Sequence, residues 1–211
     1  MSPSRKTSGG RRAVMHLAAA DPVLADIIQR VGPCTIQYRE PDFETLVRSI
    51  VFQQLSGRSA RAIFDRLKAA LCDGARLAPE AVTRIDSDTA RRIGLSGQKL
   101  RYLRDLASKV QDGTLDLSAV PALADGEVIE QLTCVTGVGV WTAQMFLLFA
   151  LRRPDVLATG DLGIRTAIRD AYRMRALPKP RRVEQLGAKW RPYRSFACWY
   201  LWRSLDPNIL L

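Results

Sequence analysis

"TGVGVWTAQ", residues 136–144, sets two glycines around a single valine and then switches at once into helix-forming residues. In its wider setting, "LTCVTGVGVWTAQMFLLFA" over 132–150, it reads as helix, tight turn, helix. Glycines at 137 and 139 allow positive φ and let the backbone approach a ligand with no side chain in the way. The helix that follows presents unpaired N–H groups and the positive end of its dipole, a cradle for a phosphate oxygen. A plain helical hairpin whose glycines serve only close packing fits the same residues. Further on, "ATGDLGIRTA" (158–167) carries one carboxylate, Asp161, in a turn with Gly160 and Gly163 around it.

Outward from this stretch, nearly every periodic segment is helical. "DPVLADIIQRVG" (21–32) has Asp21 as N-cap, Pro22 in the first turn and Gly32 as a stop. "PDFETLVRSIVFQQLS" (41–56) puts Phe43, Leu46, Val47, Ile50 and Val51 on one stripe, which would continue at Gln54. A polar residue there marks a helix end leaving the core. "RSARAIFDRLKAALCDG" (58–74) runs to a stop at Gly74, and short helices fit "PEAVTRI" and "SDTARRIG". "GQKLRYLRDLASKVQDG" (97–113) repeats Leu100, Leu103 and Leu106 at helical spacing. Asp161 opens the helical "DLGIRTAIRDAYRM", and an aromatic helix, "RPYRSFACWYLWRSL" (191–205), closes the pattern. No alternating stretch is long enough to build a sheet, so the expected fold class is all-α.

Lys and Arg number 32 against 21 acids, a net charge of +11 over 211 residues. That excess suits a polyanionic partner, most simply nucleic acid, though charge alone fits a merely soluble basic protein about as well. No apolar run is long enough for a membrane span. Residues 1–15 are basic and Ser/Gly-rich at the start, and are expected to form a disordered arm, not a signal peptide. Cys34, Cys72, Cys134 and Cys198 are scattered singly, without C-x-x-C spacing and with only His16 for company. Zinc and iron–sulfur sites need converging ligands, so these read as buried thiols in a reducing cytoplasm.

In residue type, order and spacing, "TGVGVWTA…DVLATGDLGIR" resembles the helix-hairpin-helix (HhH-GPD) DNA glycosylase superfamily, in particular its 3-methyladenine DNA glycosylase II branch. "FETLVRSIVFQQLSG" (43–57) and "WRPYRSFACWYLWR" (190–203) are similar to the same branch, so the likeness covers roughly residues 20–205. It departs at the N-terminus, where larger members carry a β-rich domain. The resemblance implies two helical lobes with a cleft between them: 43–155, carrying the hairpin at about 125–151, and 16–42 with 156–211. It implies excision of alkylated purines (3-methyladenine, 7-methylguanine and related bases) from duplex DNA by base flipping. The expected protein is a monomer, cytoplasmic and nucleoid-associated, that needs no redox cofactor.

The resemblance also assigns residues. Gly137, Val138, Gly139, Val140 and Thr142 form the phosphate-binding hairpin. Trp141, Met145, Trp202 and Gln53 surround the flipped base, and Gln54 fills the gap it leaves. The backbone carbonyls of Thr133, Val135 and Val138 hold a structural sodium or potassium ion. Asp161 is the catalytic acid, and chemistry agrees: cleavage of the C1′–N bond gives the sugar oxocarbenium character, which a nearby carboxylate stabilises while it orients the attacking water. On local sequence alone Asp161 reads first as an N-cap, and it is the hairpin at family spacing that favours catalysis; both roles are compatible. Gln54 is either wedge or exposed helix end. Trp199, Phe146 and Phe149 are expected in the core. Tryptophan at 141 stands where strand-cutting relatives place a Schiff-base lysine, which makes the enzyme monofunctional. The rival is a non-catalytic helix-hairpin-helix DNA-binding module, which would need neither Asp161 nor the pocket tryptophans.

Overall fold

The computed structural model describes residues 6–72 and 76–206, with side chains from residue 10 onward. The chain divides into two units, residues 1–38 with 152–211 and residues 39–151. Among the described residues every regular element is helical, and none is long and apolar enough to cross a membrane.

The first unit contains α1 (Lys6–Ala20), α2 (Pro22–Val31), α10 (Leu162–Ala171), α11 (Pro180–Gly187) and α12 (Arg194–Leu205), with a 3-10 turn at Ala188–Trp190. α12 is buried on every side from Ala197 to Trp202, as expected of a helix at the centre of a bundle. It packs against α1, α2 and α10. The stretch expected to be disordered through residue 15 is helical from Lys6 onward. Ala13 and Leu17, one helical turn apart, are fully buried, and α1 packs on α2 and α12. Tertiary burial thus overrides a weak local propensity.

Asp21 caps α2 by accepting the Val23 amide at 3.1 Å, as the sequence indicates. It is also almost completely buried. Its Oδ2 accepts the Tyr172 hydroxyl at the C-cap of α10, the Trp190 indole N–H at 2.8 Å, and the Lys189 ammonium at 3.1 Å. Burial works to raise the carboxyl pKa, but these donors and the Lys189 charge outweigh it and hold it below the usual value. A depressed native pKa adds stability that is present above the unfolded value, about 3.9, and is lost below it as pH falls through the lower native pKa. Asp21→Asn should therefore cost about 3 kcal/mol at neutral pH. Its penalty should shrink in acid below about pH 4. Denaturant unfolding across pH measures both, and a penalty independent of pH would show that Asp21 is not ionised in the native protein.

The second unit contains α3 (Phe43–Phe52), α4 (Gly57–Leu71), α5 (Pro79–Thr83), α6 (Ser87–Ile93), α7 (Gly97–Gln111), α8 (Asp125–Thr133) and α9 (Val140–Phe149), with a 3-10 turn at Val120–Ala122. α7 packs against α3, α5 and α6, and α8 against α9. The expected apolar faces are the buried ones: Leu46, Val47, Ile50 and Val51 on α3, and Leu100, Leu103 and Leu106 on α7. α4 ends at Leu71; its anticipated stop at Gly74 lies outside the described residues. None of the four cysteines is in a disulfide. Cys198 is buried and its pKa is pushed up to about 12, chiefly by desolvation. The other three thiols depart from the expected burial: Cys34 and Cys72 are half-buried, and Cys134 is exposed at the C-cap of α8.

Candidate active site

In the second unit, α8 gives way to the turn of the quoted stretch. The Val138 amide closes it on the Val135 carbonyl at 3.0 Å. Gly137 has φ +85, in the left-handed region that favours glycine. A Cβ there would lie 2.2 Å from the Tyr102 ring, so glycine is required by both conformation and space. Gly139 differs from the expectation. Its φ is −93, ordinary extended backbone, and a Cβ would meet nothing within 4 Å. It is the N-cap of α9, where no side chain caps the helix. The first-turn amides of α9 have no intrahelical acceptor, and they carry the positive end of its dipole.

Around that turn, Val140 and Trp141 stand exposed, Trp141 at 48%, while Thr142 is buried and Met145 half-buried. Gln53 sends its Nε2 to the Gly137 carbonyl at 2.9 Å, bracing the turn from α3. α3 stops at Phe52, short of the anticipated end, with Gln53 as C-cap. Gln54 follows at φ +56, exposed. Of the three carbonyls that the resemblance assigns to an alkali cation, that of Thr133 ends α8, where a helix leaves its oxygens without intrahelical donors. Val135 accepts the Val138 amide with one of its two lone pairs. Hard carbonyl oxygens are the right donor type for such an ion.

In the first unit, Asp161 caps α10, its Oδ1 accepting the Ile164 amide at 2.7 Å. The same oxygen accepts the Trp202 indole N–H at 2.9 Å. Asp161 is 9% exposed and Trp202 only 3%. Trp202, assigned by resemblance to the base pocket, is seen here gripping the acid. Gly163 makes the approach possible: a Cβ there would stand 3.0 Å from Trp202 and 3.1 Å from Asp161 Oδ1. The next residue after the acid, Leu162, is 63% exposed.

The segment leading to Asp161 is tied to the start of α12. Arg194 grips Asp155 through Nε at 2.7 Å and Nη2 at 3.1 Å, and reaches Glu184 at 3.0 Å. Ser195 donates to the Arg153 carbonyl at 2.6 Å and accepts the Val156 amide at 2.9 Å. One helix therefore anchors both the entering loop and, at Trp202, the acid itself. These α12 partners were not foreseen, nor was the Tyr102 platform. A polar series spaced by three along α7 (Lys99, Tyr102, Asp105) was the available signal for the latter. Among the described residues no group of three or more His, Cys, Asp or Glu side chains stands ready to hold a metal.

Comparison with known proteins follows the same residues. The model of the HhH-GPD superfamily of base excision DNA repair proteins matches residues 47–192. DNA-3-methyladenine glycosylase 1 of Schizosaccharomyces pombe is 32% identical over 92% of this chain and 86% of its own length. A solved structure of the S. pombe 3-methyladenine DNA glycosylase in complex with abasic DNA is similar with a TM-score of 0.82, covering 91% of this chain and 95% of that one. A Bacillus halodurans DNA-3-methyladenine glycosidase is similar with a TM-score of 0.79 at 34% identity, covering 92% of this chain and 89% of that one. Family match, identity over most of the length and the shared fold converge: this chain belongs to the HhH-GPD superfamily of base excision DNA repair proteins.

Proposed function

We propose that this protein is a monofunctional DNA glycosylase, active as a monomer, that hydrolyses the N-glycosidic bond of alkylated purines in duplex DNA and leaves an abasic site. The observation that carries this reading is Asp161, a nearly buried carboxylate fixed through Oδ1 by an indole N–H and a helix N-terminus. An acid held in this way is preorganised to stabilise positive charge on the sugar and to orient water. The names of the relatives support the substrate class. An N-alkylated purine is cationic and already a good leaving group, and the exposed face of Trp141 offers cation–π attraction to it. The open N-terminus of α9 suits a phosphate, with Gly139 leaving room for it. A sodium or potassium ion on the carbonyls of Thr133, Val135 and Val138 would add positive charge beside that phosphate. Gln54 would fill the space the base vacates.

Base release from methylated duplex DNA tests the reading, and absence of release would refute it. The product distinguishes hydrolysis from strand cutting. Indole is a donor only and cannot attack C1′. Lys99, on the nearby α7, is engaged by two backbone carbonyls. Borohydride should therefore trap no protein–DNA adduct, and nicks should appear only after alkali or heat. An efficient adduct mapped to a lysine would overturn the monofunctional mechanism.

A further inference from the structure

We propose that Lys99 is a positioning residue that sets Gln54 for insertion into the duplex, acting through a face of α7 that holds the residue-54 turn and the glycine hairpin as one block. The proposal rests on the reading of Gln54 as the wedge.

Lys99 Nζ donates to the carbonyls of Val51 at 2.6 Å and Gln53 at 2.8 Å. These oxygens lie at the C-terminal end of α3, where a cation is favoured by the dipole and satisfies orphan acceptors. The Gln53 carbonyl also belongs to the peptide plane that joins residue 53 to residue 54. Fixing that plane fixes the reference from which Gln54 turns to φ +56. An L-residue stays in that region only where its surroundings hold it. The side chain of the same Gln53 reaches the Gly137 carbonyl at 2.9 Å.

Farther along α7, the Tyr102 ring supports Gly137, and Asp105 Oδ2 accepts the Thr136 amide at 2.7 Å while paired with Lys109. Residues 99, 102 and 105 recur every third position, so they share one side of the helix. That side touches both segments assigned to DNA. Extruding a nucleotide costs unstacking and unpairing. A wedge referenced rigidly to the hairpin can resist that cost; a wedge on a loose turn recoils. Lys99 provides the reference without meeting the base.

The test is single-turnover excision from two duplexes, one with 7-methylguanine opposite cytosine and one with it opposite thymine, a poorer pair. Lys99→Met should slow the paired substrate by about tenfold and the mispaired one by less than about threefold, with undamaged-duplex affinity within about twofold of native. Lys99→Arg, which still donates, should restore most of the rate. Added to Gln54→Ala, Lys99→Met should cause no further loss, since both act on one element. Additive losses, or equal slowing of both duplexes, would overturn the assignment of Lys99. Pairing dependence in Gln54→Ala but not in Lys99→Met would reject Lys99 alone. Its absence in Gln54→Ala would reject the wedge and this proposal together. If Lys99→Met does not fold, Lys99→Gln, uncharged and one bond too short to hold both carbonyls, takes its place with the same expected ordering.

Discussion

Asp161→Asn is expected to reduce base excision by about a thousandfold or more while duplex affinity stays within about twofold of native. The substitution isolates charge. Asparagine caps helices as well as aspartate, so its Oδ1 keeps both the Ile164 amide and the Trp202 indole N–H. Stability should change by less than about 1 kcal/mol. What disappears is the negative charge that would face an oxocarbenium-like sugar. Single-turnover release of methylated bases, read beside a binding titration, separates the two quantities. An excision rate close to native would remove Asp161 from the chemistry and leave it a helix cap. Asp161→Ala would confound the result, because it also strands a buried indole donor.

The second large effect is expected at Gly137. Alanine there is forced into φ +85 and into contact with an aromatic ring 2.2 Å from its Cβ. Left-handed strain of about 1 kcal/mol and overpacking of about 2 kcal/mol together give a loss near 3 kcal/mol. The shift would also pull the Gly137 carbonyl from Gln53 and distort the start of α9. Affinity for damaged and undamaged duplex alike should drop by about tenfold or more. Truncating Tyr102 to alanine in the same background should recover the steric part and leave the φ part. Gly139→Ala serves as the contrast: it should alter stability by less than about 0.5 kcal/mol, so any lost affinity there reports directly on the phosphate. Native duplex affinity in Gly137→Ala would end the hairpin's assignment as the phosphate grip.

These residues also mark where the chain could be read in advance. Asp21, Asp161 and the apolar stripes of α2, α3 and α7 were legible because caps and periodicity are local signals. The catalytic candidate was legible for the same reason, with family spacing added. α1 was not, because its stripe is little more than Ala13 and Leu17, and the helix is held by burial against α2 and α12. The two hairpin glycines looked alike in sequence and differ in fact. A left-handed φ and the ring of Tyr102 from another helix make one of them indispensable. Trp202 donates to an acid 41 residues away, and no periodicity announces such a bond. The Arg194 clamp on Asp155 is hidden likewise by distance along the chain.

The division of the chain into 39–151 and its two flanks bears on the order of synthesis. All the residues of the uninterrupted unit have left the ribosome once residue 151 has emerged, so the glycine turn can find Gln53, Tyr102 and Asp105 early. The other unit has to wait. α1 and α2 emerge before that unit, but α12, on which both pack, is made after it. Domains fold as units as they are completed, so the two parts mature at different times. Asp161 itself is translated before its clamp, and its indole donor arrives only with Trp202. A chain stopped short of α12 therefore carries the hairpin without the pinned acid, and the carboxylate is secured only once α12 has been made.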